Sequence, residues 1–168
     1  TFRALFPLVN LLWPDEAAKI QDGWLSFSRE SGFFPEWSSP GHRGCMVGNN
    51  SASVVADALL KGIGTPGNEE EYFAAMVHGA NNVHPHVGSS GRYGHEYYNE
   101  LGYVPYDVNI NENVARTLEY AYDDWCIYQV AKKLGRPAEE IDLYKNRALN
   151  YRNVYDPENK LMRGKNKD

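Results

Sequence analysis

The sequence predicts an all-α domain, and three observations carry that prediction. Apolar residues recur at helical spacing through several long stretches. Gly, Pro and Asn gather in the connections between them. No stretch shows the repeated period-two alternation of a sheet. With 168 residues, 42% hydrophobic and 23% charged, the composition is that of one globular domain or part of one.

Taken in order, residues 1–12 read as a helix already under way and interrupted at Pro7. Pro14-Asp15-Glu16 opens a second helix that ends near Ser31-Gly32, with Pro suited to the first turn and Gly to the end. The run FFPEWSSPGHRGCMVGNN is a loop, holding two prolines, three glycines and Trp37. Asn50 or Ser51 can cap the helix SASVVADALLKGI, because a short polar side chain satisfies an orphan N–H at a helix start. A fourth helix starts at Asn68-Glu69-Glu70-Glu71 and runs through His78, a polar His/Asn/Gly stretch follows, and residues 92–101 form a short helix or turn. GYVPYDVNINE is a second loop leading into a long helix over residues 111–135. Arg136-Pro137 separates that helix from AEEIDLYKNRALNYRNVY, and the closing YDPENKLMRGKNKD is irregular. Antiparallel helices with loops at alternate ends fit a helical toroid or solenoid, although no fixed-period repeat is visible.

The helix over 111–135 carries the most information. At about 100° per residue Val114, Leu118, Ala121, Trp125 and Tyr128 share one stripe, as for packing against a core. Glu119 points elsewhere, yet its helical neighbours Ala115, Tyr122, Cys126 and Val130 are apolar too, which predicts a helix enclosed by others and a partly desolvated carboxyl. Burial disfavours the charged form, and a carboxylic acid still protonated near neutral pH can act as a general acid. The competing reading pairs Glu119 with a cation on a neighbouring helix, since structural ion pairs perturb carboxylates as well. Asp123 lies one turn further on roughly the same face and could accept a sugar hydroxyl; a solvated position would account equally for Asp123 and Asp124.

Twelve Tyr and four Trp combine stackable faces with hydrogen-bonding tips, which suits a carbohydrate site and equally a packed core. The net charge of −5, with no Lys/Arg cluster beyond RGKNK at 163–167, argues against nucleic acid as a partner. Cys45 and Cys126 make neither a disulfide framework nor a zinc spacing. No apolar run approaches the roughly 20 residues of a membrane span, and the first residues lack the pattern of a signal peptide. His84-Pro85-His86 has no acidic or Cys partner at ligand spacing and reads as a solvated loop, while His95 and Glu96 read as surface residues. The glycines of PGHRGCMVG form no phosphate-binding pattern. Trp37, His42 and Arg43 on that loop could line a ligand pocket, or the loop could simply be anchored by Trp37.

The segments TFRALFPL, GFFPEW, PGHRGCMVGNNSASVVADALLKGI, GYVPYDVN, ARTLEYAYDDW and YRNVYDPENKLMRGK, in this order, resemble the catalytic domain of family 92 glycoside hydrolases, exo-acting α-mannosidases. The resemblance covers essentially the whole chain. It implies an (α/α)6 toroid, of which residues 1–168 are a fragment. In full-length members a β-sandwich domain precedes the toroid, and a calcium ion in the active centre helps bind and distort the terminal mannose. It also implies hydrolysis with inversion, in which one carboxylic acid protonates the leaving oxygen and another carboxylate activates water, the two about 6.5–9.5 Å apart.

On this resemblance Glu119, in TLEYAYDDW, corresponds to the general acid. Arg3 belongs to what this chain keeps of a Trp-Asp-Thr-Phe-Arg mannose-binding motif, where it could orient a carboxylate or a sugar hydroxyl, or equally form a structural ion pair. Trp37, His42 and Asp57 are expected in the pocket wall or the layer behind it, and Asp123 near the sugar. The base belongs to a Gly-Asn-(Asp/Glu)-Asp-Cys-Gly segment and part of the leaving-group subsite to a Glu-Gly-Asn segment; neither lies within these residues, and no calcium ligand is matched. The implied partners are α-mannoside oligosaccharides or N-glycans and the remainder of the catalytic domain, and the implied location is secreted, periplasmic or cell-surface. An interrupted toroid would leave helix faces uncovered, so the isolated piece is expected to be poorly stable or to self-associate. The alternatives are a catalytically inactive carbohydrate-binding relative and a helical interaction module.

Overall fold

The computed structural model describes residues 1–38 and 40–168. Among them are seven α-helices: α1 (Leu5–Leu12), α2 (Pro14–Ser31), α3 (Ser51–Leu60), α4 (Glu69–Asn81), α5 (His95–Leu101), α6 (Asn113–Leu134) and α7 (Ala138–Arg147). Two short 3₁₀ turns follow the loops, at Tyr106–Val108 and Asn150–Val154.

Local chemistry explains most boundaries. Pro7 does not interrupt α1, because it sits in the first turn, where its missing N–H would have no helical acceptor. Pro14 occupies the start of α2 with Asp15 and Glu16 in its first turn, and Gly32, at φ 85°, ends it with an N–H bonded to the Ser28 carbonyl. The expected local cap of α3 is absent: neither Asn50 nor Ser51 caps with its side chain, and the Ser51 N–H instead donates to Glu36 Oε2 at 3.0 Å from the preceding loop. After Arg136-Pro137, α7 ends at Arg147 and the chain passes into the second 3₁₀ turn.

The helical prediction holds for the frame, with two additions. Strands β1 (Val83–His84) and β2 (Val87–Gly91) form an antiparallel hairpin within the polar His/Asn/Gly stretch, and β3 (Tyr155–Asp156) pairs with β4 (Leu161–Met162) in the closing segment. Three of these strands have two residues, too short to show alternation, and the five-residue β2, VGSSG, has only one apolar side chain to alternate. Gly91, at φ 75°, ends the first hairpin where the chain passes the Asn82 carbonyl so closely that a Cβ would lie 2.2 Å from it.

The core lies among α3, α4, α6 and α7. Val55, Tyr72, Met76, Ile127, Val130, Ala131 and Tyr144 are all buried in one apolar cluster. On α6 the buried face comprises Thr117, Tyr120, Ala121, Asp123, Asp124, Cys126, Ile127, Val130 and Ala131. The stripe expected to face a core is therefore only partly covered. Leu118, Trp125 and Tyr128 line an open apolar groove with Leu149 and Tyr151, and Trp125 is 47% exposed. Asp123 and Asp124, for which a solvated position was an open reading, are fully buried. No helix among the described residues is long and apolar enough to cross a membrane.

Candidate active site

Glu119 projects from the middle of α6 with its side chain 23% exposed. Arg3 Nη2 donates to both carboxyl oxygens, at 2.7 Å to Oε1 and 2.9 Å to Oε2. The N-terminal turn that delivers Arg3 is seated by aromatic contacts: Phe2 lies against Tyr122 of α6 and Phe6 meets Trp24 of α2 edge-on at 5.2 Å. Arg3 in turn lines a cavity of about 480 Å³ with Phe2, Trp24, Glu36, Trp37 and Met46. Aromatic faces with one cation and one acid suit a ligand that has both apolar and hydroxyl surfaces.

Glu36 was not identified from the sequence. Its carboxylate accepts hydrogen bonds from the Asn49 side chain, the Ser51 hydroxyl and the Ser51 N–H, so it gathers the turn before α3 and caps that helix from a distance. Burial pushes its carboxyl up to about 7, against the opposing pull of those hydrogen bonds and of the Arg92 charge. The available sequence signal is a lone acid within the aromatic run FFPEW.

Of the other residues expected at the site, only Trp37 lines this cavity with Arg3. His42 turns away to the first hairpin, where its Nδ1 is 2.9 Å from the Ser90 hydroxyl and its ring is 4.7 Å from that of His84. Burial and the neighbouring His84 lower its pKa. Asp57 ties α3 to α1 through Asn10 Nδ2 at 2.7 Å and to Lys61 Nζ at 2.7 Å. Asp123 is fully buried, and its Oδ2 accepts the Asn49 backbone N–H at 2.9 Å. These three placements share a cause: periodicity places a residue on a helix face or a loop, while the tertiary partner decides where its side chain goes.

Beneath α6 lies a buried ionic centre. Arg92 and Asp124 are both fully inaccessible and meet at 2.6 Å, with the Tyr98 hydroxyl donating to the second Asp124 oxygen at 2.9 Å. A buried charge needs such compensation, which explains Asp124 on a core-facing helix. Among the described residues no three His, Cys, Asp or Glu side chains converge to hold a metal ion.

The chain belongs to glycosyl hydrolase family 92: residues 1–168 match its catalytic domain throughout. Among solved structures, it is similar to a family 92 inverting mannosidase from Bacteroides thetaiotaomicron, with 48% identity and a TM-score of 0.94 over 99% of this chain and 22% of that one. A second family 92 α-mannosidase of that organism, solved in complex with mannoimidazole, shares 37% identity at a TM-score of 0.85, over 99% of this chain and 21% of that one. An uncharacterized secreted glycosidase of Arthroderma benhamiae is 30% identical over 156 residues, 87% of this chain and 20% of its own length. The chain thus spans about a fifth of the length of these relatives.

Proposed function

We propose that the protein carrying this chain is a secreted glycosidase that removes terminal α-linked mannose from mannan or N-glycan-type oligosaccharides with inversion, and that Glu119 is its general acid. This chain would form part of an (α/α)6 toroid. Family membership and the likeness to an inverting mannosidase support the reaction class. The observation that carries the residue assignment is the position of Glu119: mid-helix, partly desolvated, and joined through Arg3 to an aromatic-lined cavity. In this reading Arg3 orients the carboxyl and yields one oxygen to the leaving group when substrate binds. The base and the calcium ligands would come from outside the residues described, and calcium would supply charge for binding and distorting the mannose.

The Arg3–Glu119 ion pair also favours a second reading, in which Glu119 is a structural partner in an inactive carbohydrate-binding relative or helical interaction module. The deciding experiment compares full-length wild type and Glu119→Gln on α-mannobiose and on an aryl mannoside with a good leaving group, with Ca²⁺ present. A general acid predicts that the variant loses mannobiose hydrolysis and keeps more of the aryl activity, because only the poor leaving group needs a proton. No mannose release by the wild type from any linkage would transfer the assignment to the binding relative.

A further inference from the structure

The Glu119 side chain is held from two directions. Arg3 takes its carboxylate, and its stem rests on the turn before α3: a Cβ on Gly48 would lie 3.0 Å from Glu119 Cβ and 2.5 Å from Asn50 Nδ2. Gly48 itself is at φ 103°, where side chains are strained, so the backbone of this turn can approach Glu119 only as glycine. The turn has little freedom of its own. Asn50 Nδ2 bonds to the Val47 carbonyl at 3.1 Å, and Glu36 collects Asn49 and Ser51 from the other side.

The remaining tether comes from α6. Asp123, one helical turn after Glu119, accepts the Asn49 N–H at 2.9 Å, and this is its one hydrogen bond among the described residues. Its second oxygen, Oδ1, is buried with no partner among them. Burying a carboxylate with one hydrogen bond is costly, and the Arg92 charge offsets only part of that cost. What the carboxylate adds is a fixed distance between α6 and the Gly48–Asn49 turn, spanning the side chain of Glu119.

We propose that Asp123 is a positioning residue for Glu119, acting through the Gly48–Asn49 turn that bounds the Glu119 stem. The inference rests on the reading of Glu119 as general acid. Fixing the turn confines Glu119 to one staggered rotamer, so that its carboxyl meets the leaving oxygen at hydrogen-bond range. Releasing the turn leaves the acid present and misplaced, and a displacement of about 1 Å in such a group costs up to about 100-fold in rate.

The test is made in the full-length enzyme with Asp123→Ala, Asp123→Asn and Gly48→Ala beside Glu119→Gln, measuring kcat and KM on α-mannobiose and on an activated aryl mannoside. Asp123→Ala and Gly48→Ala are expected to lower kcat on mannobiose by about 10–100-fold with aryl turnover much less affected, the same pattern as Glu119→Gln in weaker form. Asp123→Asn, which keeps an oxygen to accept the Asn49 N–H, is expected to recover most of the mannobiose rate. A merely structural role would lower both substrates in proportion to the active fraction, and that result would overturn the proposal. Should Asp123→Ala fail to fold, Gly48→Ala decides, since it disturbs the turn without emptying the core. If Glu119→Gln splits the substrates and Gly48→Ala does not, the positioning role falls alone; if Glu119→Gln lowers both equally, the acid assignment falls and takes this inference with it.

Discussion

Arg3 Nη2 spans both oxygens of Glu119, at 2.7 and 2.9 Å, and so joins the N-terminal turn to the middle of α6. The Arg3 side chain is 64% exposed, so this pair contributes little to stability, on the order of 0–1 kcal/mol as for other solvent-facing pairs. Arg3→Ala is accordingly expected to shift a denaturation midpoint only slightly. If Arg3 orients the general acid, the same variant lowers mannobiose turnover at least about tenfold, a loss that stability cannot account for. Parallel small losses in both measurements would reduce Arg3 to a surface ion pair.

The Arg92–Asp124 pair should behave in the opposite way. Both side chains are fully buried, and Arg92 also lies against the Tyr98 and Tyr120 rings, at 5.7 and 5.2 Å from their centroids. Arg92→Met leaves Asp124 as an uncompensated buried carboxylate and is expected to cost about 3–5 kcal/mol in urea denaturation. Adding Asp124→Leu removes that charge, so the double variant should recover part of the loss. A double variant that is worse by the full sum of the two would show that the pair itself, and not the stranded charge, carries the stability.

The helical frame was legible because it rests on periodicity, on Pro14 and Gly32, and on the acidic start of α4, all of which act within a few residues. At the candidate site, the residues themselves single out Glu119 and Trp37 and the family motif adds Arg3; the structure sets Arg3 against Glu119 and Trp37 in the cavity beside Arg3. Glu36 was hidden because its importance comes from partners at residues 49 and 51 and from desolvation, neither of which spacing records. His42, Asp57 and Asp123 likewise have partners on other elements that spacing does not record: Ser90, Asn10 and Asn49. The stripe on α6 was read as core because apolar residues at helical spacing do not say whether the neighbour that covers them is present.

Gly91 offers a test of backbone geometry away from the site. Its φ of 75° is unfavourable for other residues, and a Cβ there would meet the Asn82 carbonyl oxygen at 2.2 Å and the Phe33 ring at 2.9 Å. The backbone contact cannot rotate aside as a side chain would. Gly91→Ala is therefore expected to destabilise by more than the roughly 1 kcal/mol of an ordinary left-handed substitution, with the loss read from thermal unfolding. A change within a few tenths of a kcal/mol would mean that the hairpin tolerates movement between residues 82 and 91.

Glu36 gives the fold a pH dependence whose sign is fixed by burial. Its folded-state pKa is raised from 4.5 to about 7, so the folded protein holds this proton more tightly than the unfolded chain does. The stabilisation from that proton is fully present below about pH 4.5 and is lost as the pH rises through about 7. His42 and His84 act in the other direction, because burial lowers their pKa values and their protonation opposes folding as the pH falls. The comparison with Glu36→Gln separates the two effects, since both proteins keep the histidines and only one keeps the titrating carboxyl. The stability of the wild type relative to Glu36→Gln should be greater near pH 5 than near pH 8. Parallel stability curves for the two proteins across that range would show that Glu36 stays ionised when folded, and that the three donors from Asn49 and Ser51 outweigh its desolvation.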